Sequence, residues 1–220
     1  MGTTIVGAAL CVASFGSGCA PPSSVRSSIS SSFRAEEIRP LAVVPLRAAL
    51  ERSDEPIFKN VRVQPEAPDL LTRLLFDELK NRGDDDLVPM EAVRAAMARA
   101  SADLLSGPLD PLAVWIGKEV HAGSVISGEV SVYEERVGGP YGVERPAFVG
   151  IDLVLIRTST QDTLWKAAYY EKQLSLSADI RNFPLYIRRG GKWVRAEELA
   201  RYGIEEMLKS LPATGTGGKR

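Results

Sequence analysis

Apolar residues recur along this chain in two periods. Between positions 125 and 135 (VISGEVSVYEE) they alternate, with Ile126, Gly128, Val130 and Val132 on one side and Ser127, Glu129 and Ser131 on the other. That is the pattern of a strand with two unlike faces. Positions 146–158 (PAFVGIDLVLIRT) are apolar on nearly both faces and predict a central strand. Positions 163–174 (TLWKAAYYEKQL) predict a third strand after the tight polar turn 159–162. Earlier, the β-branched run 38–46 (IRPLAVVPL) predicts a strand bounded by Pro40 and Pro45, and Leu87–Val88 a short second one.

The other period is helical. Leu70, Leu71, Leu74, Leu75 and Leu79 predict a helix opened by Pro68–Asp69 and stopped by Gly83. Pro89 suits the first turn of a helix carrying Val93, Ala96, Met97 and Ala100. After the Ser106-Gly107-Pro108 break, a further helix starts near Asp110–Pro111 with Ala113, Ile116, Gly117 and Val120 on one face, ending by Gly123. A last helix spans 195–211, with Leu199, Gly203, Met207 and Leu211 on one face. Between these elements, 47–67 reads as a long loop, 136–145 as an exposed one, 179–191 as irregular, and 213–220 as a disordered tail.

The order strand, helix, strand, helix, helix, three strands, helix predicts a single α/β domain over 36–211. Its sheet is expected to be mixed and five-stranded, two crossover strands plus an antiparallel three-strand meander, covered by helices.

Charge narrows the function classes. The 220 residues carry 27 basic and 28 acidic side chains, a net charge of -1. A polyanion such as nucleic acid finds no basic footprint here. Both cysteines, Cys11 and Cys19, fall in the first twenty positions. The body therefore offers no disulfide framework, thiolate nucleophile or cysteine zinc site.

The remaining candidate chemistry is sparse. Asp84-Asp85-Asp86 lacks the oxygen-ligand spacing that hard cations need and reads as a solvated turn. His121, the only histidine, lies at a helix end, where it complements the dipole. An acid-base cleft built from Asp152, Glu171 or His121 is conceivable for an envelope hydrolase, but no spacing links a nucleophile, a base and an orienting group. Gly138-Gly139 leads into no helix, so it marks a turn and not a phosphate cradle. Trp165, Tyr169 and Tyr170, at strand alternation, read as core or sheet-face packing, and Arg181, Arg188 and Arg189 as solvated charge. The expectation is a protein that is not an enzyme, with no cofactor and no metal.

The leader is more informative. Positions 1–15 (MGTTIVGAALCVASF) are uncharged and apolar through Ile5, Val6, Ala8, Ala9, Leu10 and Val12. The run is too short for a bilayer, which takes roughly 20 residues, and matches a signal-peptide core of about 7 to 15. Gly16, Ser17 and Gly18 before Cys19 resemble a bacterial lipobox, which implies cleavage after 18 and a multiply acylated Cys19 at the new N-terminus. Gly16 where such motifs carry Leu, and the lack of a Lys or Arg before the apolar run, depart from that pattern. An ordinary secretory signal cut after Ala20, discarding Cys19, and a cytosolic chain with an apolar N-terminus are the alternatives. A second acyl chain makes attachment stable where one is marginal. Residues 19–35, after the signal peptide of 1–18, form a Ser- and Pro-rich segment expected to be a flexible tether, about 20 to 24 Å r.m.s. in span.

Taken together, IRPLAVVPL, the leucine-rich helix, WIGKEVHAGSVISGEVSVYEE and LIRTSTQDTLWKA resemble bacterial envelope lipoproteins of the TolB N-terminal-domain type, over about 38–211. This group includes the curli-secretion lipoprotein CsgG and the penicillin-binding-protein activator LpoB. The resemblance implies a non-enzymatic binding or assembly module, lipid-anchored at the outer membrane and facing the periplasm. Its partners would be envelope proteins, the membrane reached through the lipid, and further copies of the chain. An oligomeric secretion subunit needs additional membrane-crossing strands of about 9 to 11 residues, for which the 136–145 connection is too short.

Overall fold

The computed structural model describes residues 24–49, 62–84, 86–139, 143–172 and 194–212. The whole leader with Cys19, the middle of the 47–67 loop, Arg181, Arg188, Arg189 and the 213–220 tail lie outside the described residues.

Three long strands form the frame: β4 (Ser124–Glu134), β7 (Phe148–Arg157) and β8 (Thr163–Lys172). They are the expected meander, paired antiparallel in sequence order, with Glu129 opposite Asp152 and Asp152 opposite Ala168. On the far side of β4 lie β2 (Leu41–Val43) and β3 (Arg47–Ala48), both parallel to it. Of the expected 38–46 strand only β2 pairs as a strand; after Pro45, which has no N–H to donate, pairing resumes at β3, inside the segment expected to be a loop. The expected strand at 87–88 is a single parallel bridge, Leu87 to Leu41. The crossovers hold: the chain returns parallel to β2 through α1 (Ala67–Asn81), and reaches β4 through α2 (Met90–Met97), α3 (Ala102–Ser106) and α4 (Leu109–Glu119). The exposed 136–145 connection contains a small hairpin, β5 (Val137–Gly138) against β6 (Val143–Arg145).

The strand β1 (Val25–Ile29) corrects the expectation of a tether running to residue 35. It pairs antiparallel with β8, in the order β1-β8-β7-β4-β2, so the sheet has six strands, β3 included. Only Val25 of this segment packs against the core; Arg26 to Ile29 are exposed. An edge strand is held by its backbone: Ser30 N–H donates to Leu164 O at 2.8 Å, and Tyr170 N–H to Ser24 O at 3.2 Å. Apart from Val25 its side chains face water, so no hydrophobic alternation marks it in the sequence.

Two helical layers cover the sheet. On one face, α1 and α5 (Ala196–Lys209) seal a core containing Leu71, Leu75, Ile126, Leu153, Trp165 and Tyr169. Fully burying one such large apolar side chain stabilises by about 1.5–3 kcal/mol. Gly203 is what lets α5 sit down here, since a Cβ there would collide with the Tyr169 ring. Trp165 Nε1–H donates to Ser210 Oγ at 3.0 Å, so the indole is buried with its polar edge satisfied. On the other face, α2 and α4 cover Ala42, Val44, Val125 and Ile156.

A second correction concerns the acidic run. Asp84 is buried, 4% exposed, with its carboxylate 3.7 Å from Arg39 Nη2 and 3.4 Å from Arg82 Nε. It sits where α1 gives way, through Gly83 at φ +82°, to the strand-edge segment, and Asp86 O accepts Leu41 N–H. A carboxylate at such a junction is buried with its cations around it, not solvated.

Candidate functional site

The two sheet faces end differently. Residues that alternate away from α1 and α5 on β7 are Phe148, Gly150, Asp152, Val154 and Ile156. Ile156 lies under α4. Past Val154 the covering layer gives way to a cavity of about 670 Å³, walled by the α3–α4 turn at Gly107 and Pro108 and by Arg47, Glu129 and Asp152. A second hollow of about 350 Å³ continues toward β1 over Ala168, Lys166 and Arg26, sharing Asp152 and Val154 with the first. Together they make a trench across the strands.

Register places a row of charges along it. Arg47 pairs with Glu129, Glu129 with Asp152, Asp152 with Ala168, and Ala168 with Arg26. Two carboxylates directly opposite each other on adjacent strands repel. Arg47 relieves one of them: its Nε and Nη2 donate to Glu129 Oε1 at 3.0 and 2.9 Å, while Nη1 donates to Gly107 O at 2.7 Å. The guanidinium therefore ties β3, β4 and the α3–α4 turn together.

Among the described residues, Asp152 receives only a neutral donor, the Tyr170 hydroxyl, which bonds its Oδ2. Tyr170 stands directly across from Gly150, two positions from Asp152 on the same face. The glycine permits this, because a Cβ at 150 would lie 2.8 Å from Tyr170 Cδ1 and 2.6 Å from Ser131 Oγ. Burial pushes the Asp152 carboxyl above its ordinary value; the Tyr170 hydrogen bond opposes this and the Glu129 charge adds to it.

Beside the acids lies an unused polar group. Ser127 is fully buried, its Oγ without a hydrogen-bond partner among the described residues. It is on the same face, two positions before Glu129 and directly across from Val154, both of which line the cavity. Buried hydroxyls are normally satisfied, and this one lies behind the cavity wall and not in its lining.

The hydrolase candidates are not brought together. Asp152 lines the trench, but Glu171 projects to the opposite side of β8 from Tyr170, where it accepts from Tyr169 Oη at 2.9 Å and Ser24 Oγ at 3.1 Å. His121 is exposed in the turn before β4, with φ 55°. Trp165 and Tyr169 are core residues and Tyr170 packs on the other sheet face against Val132 and Phe148, as their alternation suggests. Arg47, Glu129, Ser127 and Tyr170 were not identifiable as site residues from sequence. The one signal was the polar alternation Ser127, Glu129, Ser131, unusual on a strand so apolar on its other side. Among the described residues, no group of three or more His, Cys, Asp or Glu stands together to hold a metal ion, and no helix is long and apolar enough to cross a membrane.

No family model matches the chain, and no curated protein matches it in sequence. Solved structures do match. A single-substitution variant of PelC from Paraburkholderia phytofirmans, a dodecamer, is 17% identical with a TM-score of 0.51, over 86% of this chain and 98% of that one. The LpoB C-terminal domain from Salmonella enterica is 15% identical with a TM-score of 0.40, over 66% of this chain and 88% of that one. Lipoprotein GNA1162 from Neisseria meningitidis is 13% identical with a TM-score of 0.39, over 69% and 95%. The likeness to PelC is one of fold, and it matches the helix-covered mixed sheet expected from the sequence. The other two superpose too loosely to add to it.

Proposed function

We propose that this chain is a lipid-anchored assembly module of the bacterial envelope, tethered through Cys19 at the periplasmic face of the outer membrane and acting by binding protein rather than by catalysis. The observation that carries this reading is the fold shared with PelC, a protein solved as a dodecamer. The leader supports it independently: an apolar run of export-signal length ends on small residues and a cysteine, and the body holds no further thiol. A sheet face left partly uncovered, with its charges set in register, supplies a surface for a protein partner. Self-association is the first form of assembly to look for.

Fractionation and sizing test it. The wild-type protein is expected in the membrane pellet and Cys19→Ala in the soluble fraction, while sizing in detergent gives a mass above that of one 23.8 kDa chain. Recovery of Cys19→Ala in the pellet overturns the anchor. A monomer that also captures no envelope protein by crosslinking overturns the assembly role.

A further inference from the structure

The geometry points to the trench across the open sheet face as a socket for a basic side chain, a Lys or Arg presented by an extended segment of a partner protein. This rests on reading the face as a protein-binding surface, and adds the chemistry of what it binds.

Two observations carry it. The first is charge. Of the two facing carboxylates, Glu129 has its cation in Arg47, bound through Oε1, while Asp152 is bonded, among the described residues, only by the neutral Tyr170 hydroxyl. The larger cavity sets Glu129, Asp152 and Asp110 against a single cation, Arg47, so an incoming cation belongs there and not in the second hollow, which Lys166 and Arg26 already line. The second is the lining: Val154, Pro108 and Leu109 give the apolar walls that a lysine or arginine stem prefers while its charged end reaches the carboxylate.

A metal ion fits less well. Hard cations take six or more oxygens, and one of the two carboxylates here is already committed to a guanidinium. An anion would meet Glu129, Asp152 and Asp110 on the same wall. An ammonium or guanidinium needs only a few directed acceptors and one uncompensated negative charge.

The test uses the full-length, 15N-labelled protein in detergent micelles and the peptide acetyl-Gly-Lys-Gly-amide, with norleucine and glutamate counterparts. The lysine peptide is expected to shift the amide signals of residues 107, 109–110, 128–129 and 152–154 saturably, and the counterparts to leave them in place. Asp152→Asn keeps an acceptor for Tyr170 and should weaken the lysine peptide about fivefold or more. Lys166→Gln removes an exposed cation from the trench wall and should strengthen it about twofold. Equal shifts with lysine and norleucine, or an affinity unchanged in both variants, overturn the inference. So does a shift of the same amides with protein concentration alone that Asp152→Asn abolishes, because the occupant is then a second copy. Failure here with Asp152→Asn still in the membrane pellet and still crosslinked to envelope proteins leaves the assembly reading standing. Loss of the pellet and of partners in the wild type overturns that reading instead.

Discussion

The two faces of one sheet are made by alternate residues of the same strands, yet they have different fates. On β7, Ile151, Leu153 and Leu155 are buried beneath α1 and α5, and their neighbours Asp152 and Val154 run out from under α4 into a trench. On β8, Trp165 and Tyr169 fill the core while Lys166 and Tyr170 face away from it. The closed face is specified by volume and apolarity. The open face is specified by charge order and by glycine. A strand can therefore be central in the sheet and still present a polar surface, because covering helices and strand registers are set independently.

Substitutions separate the two faces. The largest effect belongs on the closed one: Trp165→Ala should cost about 3–5 kcal/mol in urea-induced unfolding, through the cavity left beneath α5 and the loss of the bond to Ser210. A loss below about 1 kcal/mol would mean that the α5 layer is not the main seal. Gly150→Val comes next, at about 1–3 kcal/mol, since the added side chain must displace Ser131 and Tyr170. Near-ultraviolet circular dichroism should report the altered tyrosine environment.

Arg47→Ala sharpens the comparison further. It leaves Glu129 and Asp152 facing each other without a cation, at an expected cost of about 1 kcal/mol for a partly buried pair, and the cost should shrink at acid pH. If the loss is the same at pH 4 and pH 7, the guanidinium is acting through packing alone. The smallest effect is a matter of pH. The folded Asp152 carboxyl titrates above its unfolded value, so the folded state holds this proton more tightly, and its contribution is most favourable below the unfolded pKa of about 4. It declines as pH rises from there through the raised folded pKa, and is constant above it. Asp152→Asn should remove that decline from the melting temperature measured between pH 4 and 7, and an unchanged profile would place the titration elsewhere. Tyr133, whose hydroxyl burial pushes up to about 12, stays neutral throughout this range and serves as an internal reference.

Much of the scaffold is legible in the sequence for a simple reason: α1, β4, β7 and β8 bury one period of side chains each, and burial writes apolar residues at that period. The strand β1 leaves no such mark, since its pairing uses backbone groups and all its side chains but Val25 are exposed. Asp84 misleads in the same way, because three adjacent aspartates read as solvated until Arg39, far back in the chain, and Arg82, at the end of α1, are brought to one of them. The trench was legible only in fragments. Asp152 stands out in an apolar strand as a polar exception, but its neighbours Glu129, Arg47 and Tyr170 come from three other strands, at separations that no local pattern encodes.

What the amino-acid sequence determined by itself is the period of each buried element, the order of those elements, and the placement of both thiols in the leader. What only the tertiary structure decided is which alternate face is closed, where β1 adds itself to the edge, and that Arg47, Glu129, Asp152, Ala168 and Arg26 fall into one row. The reason is that periodicity is a property of a segment packing against something. Register between strands far apart in the chain is a property of the whole sheet, fixed by backbone hydrogen bonds that carry no side-chain signature.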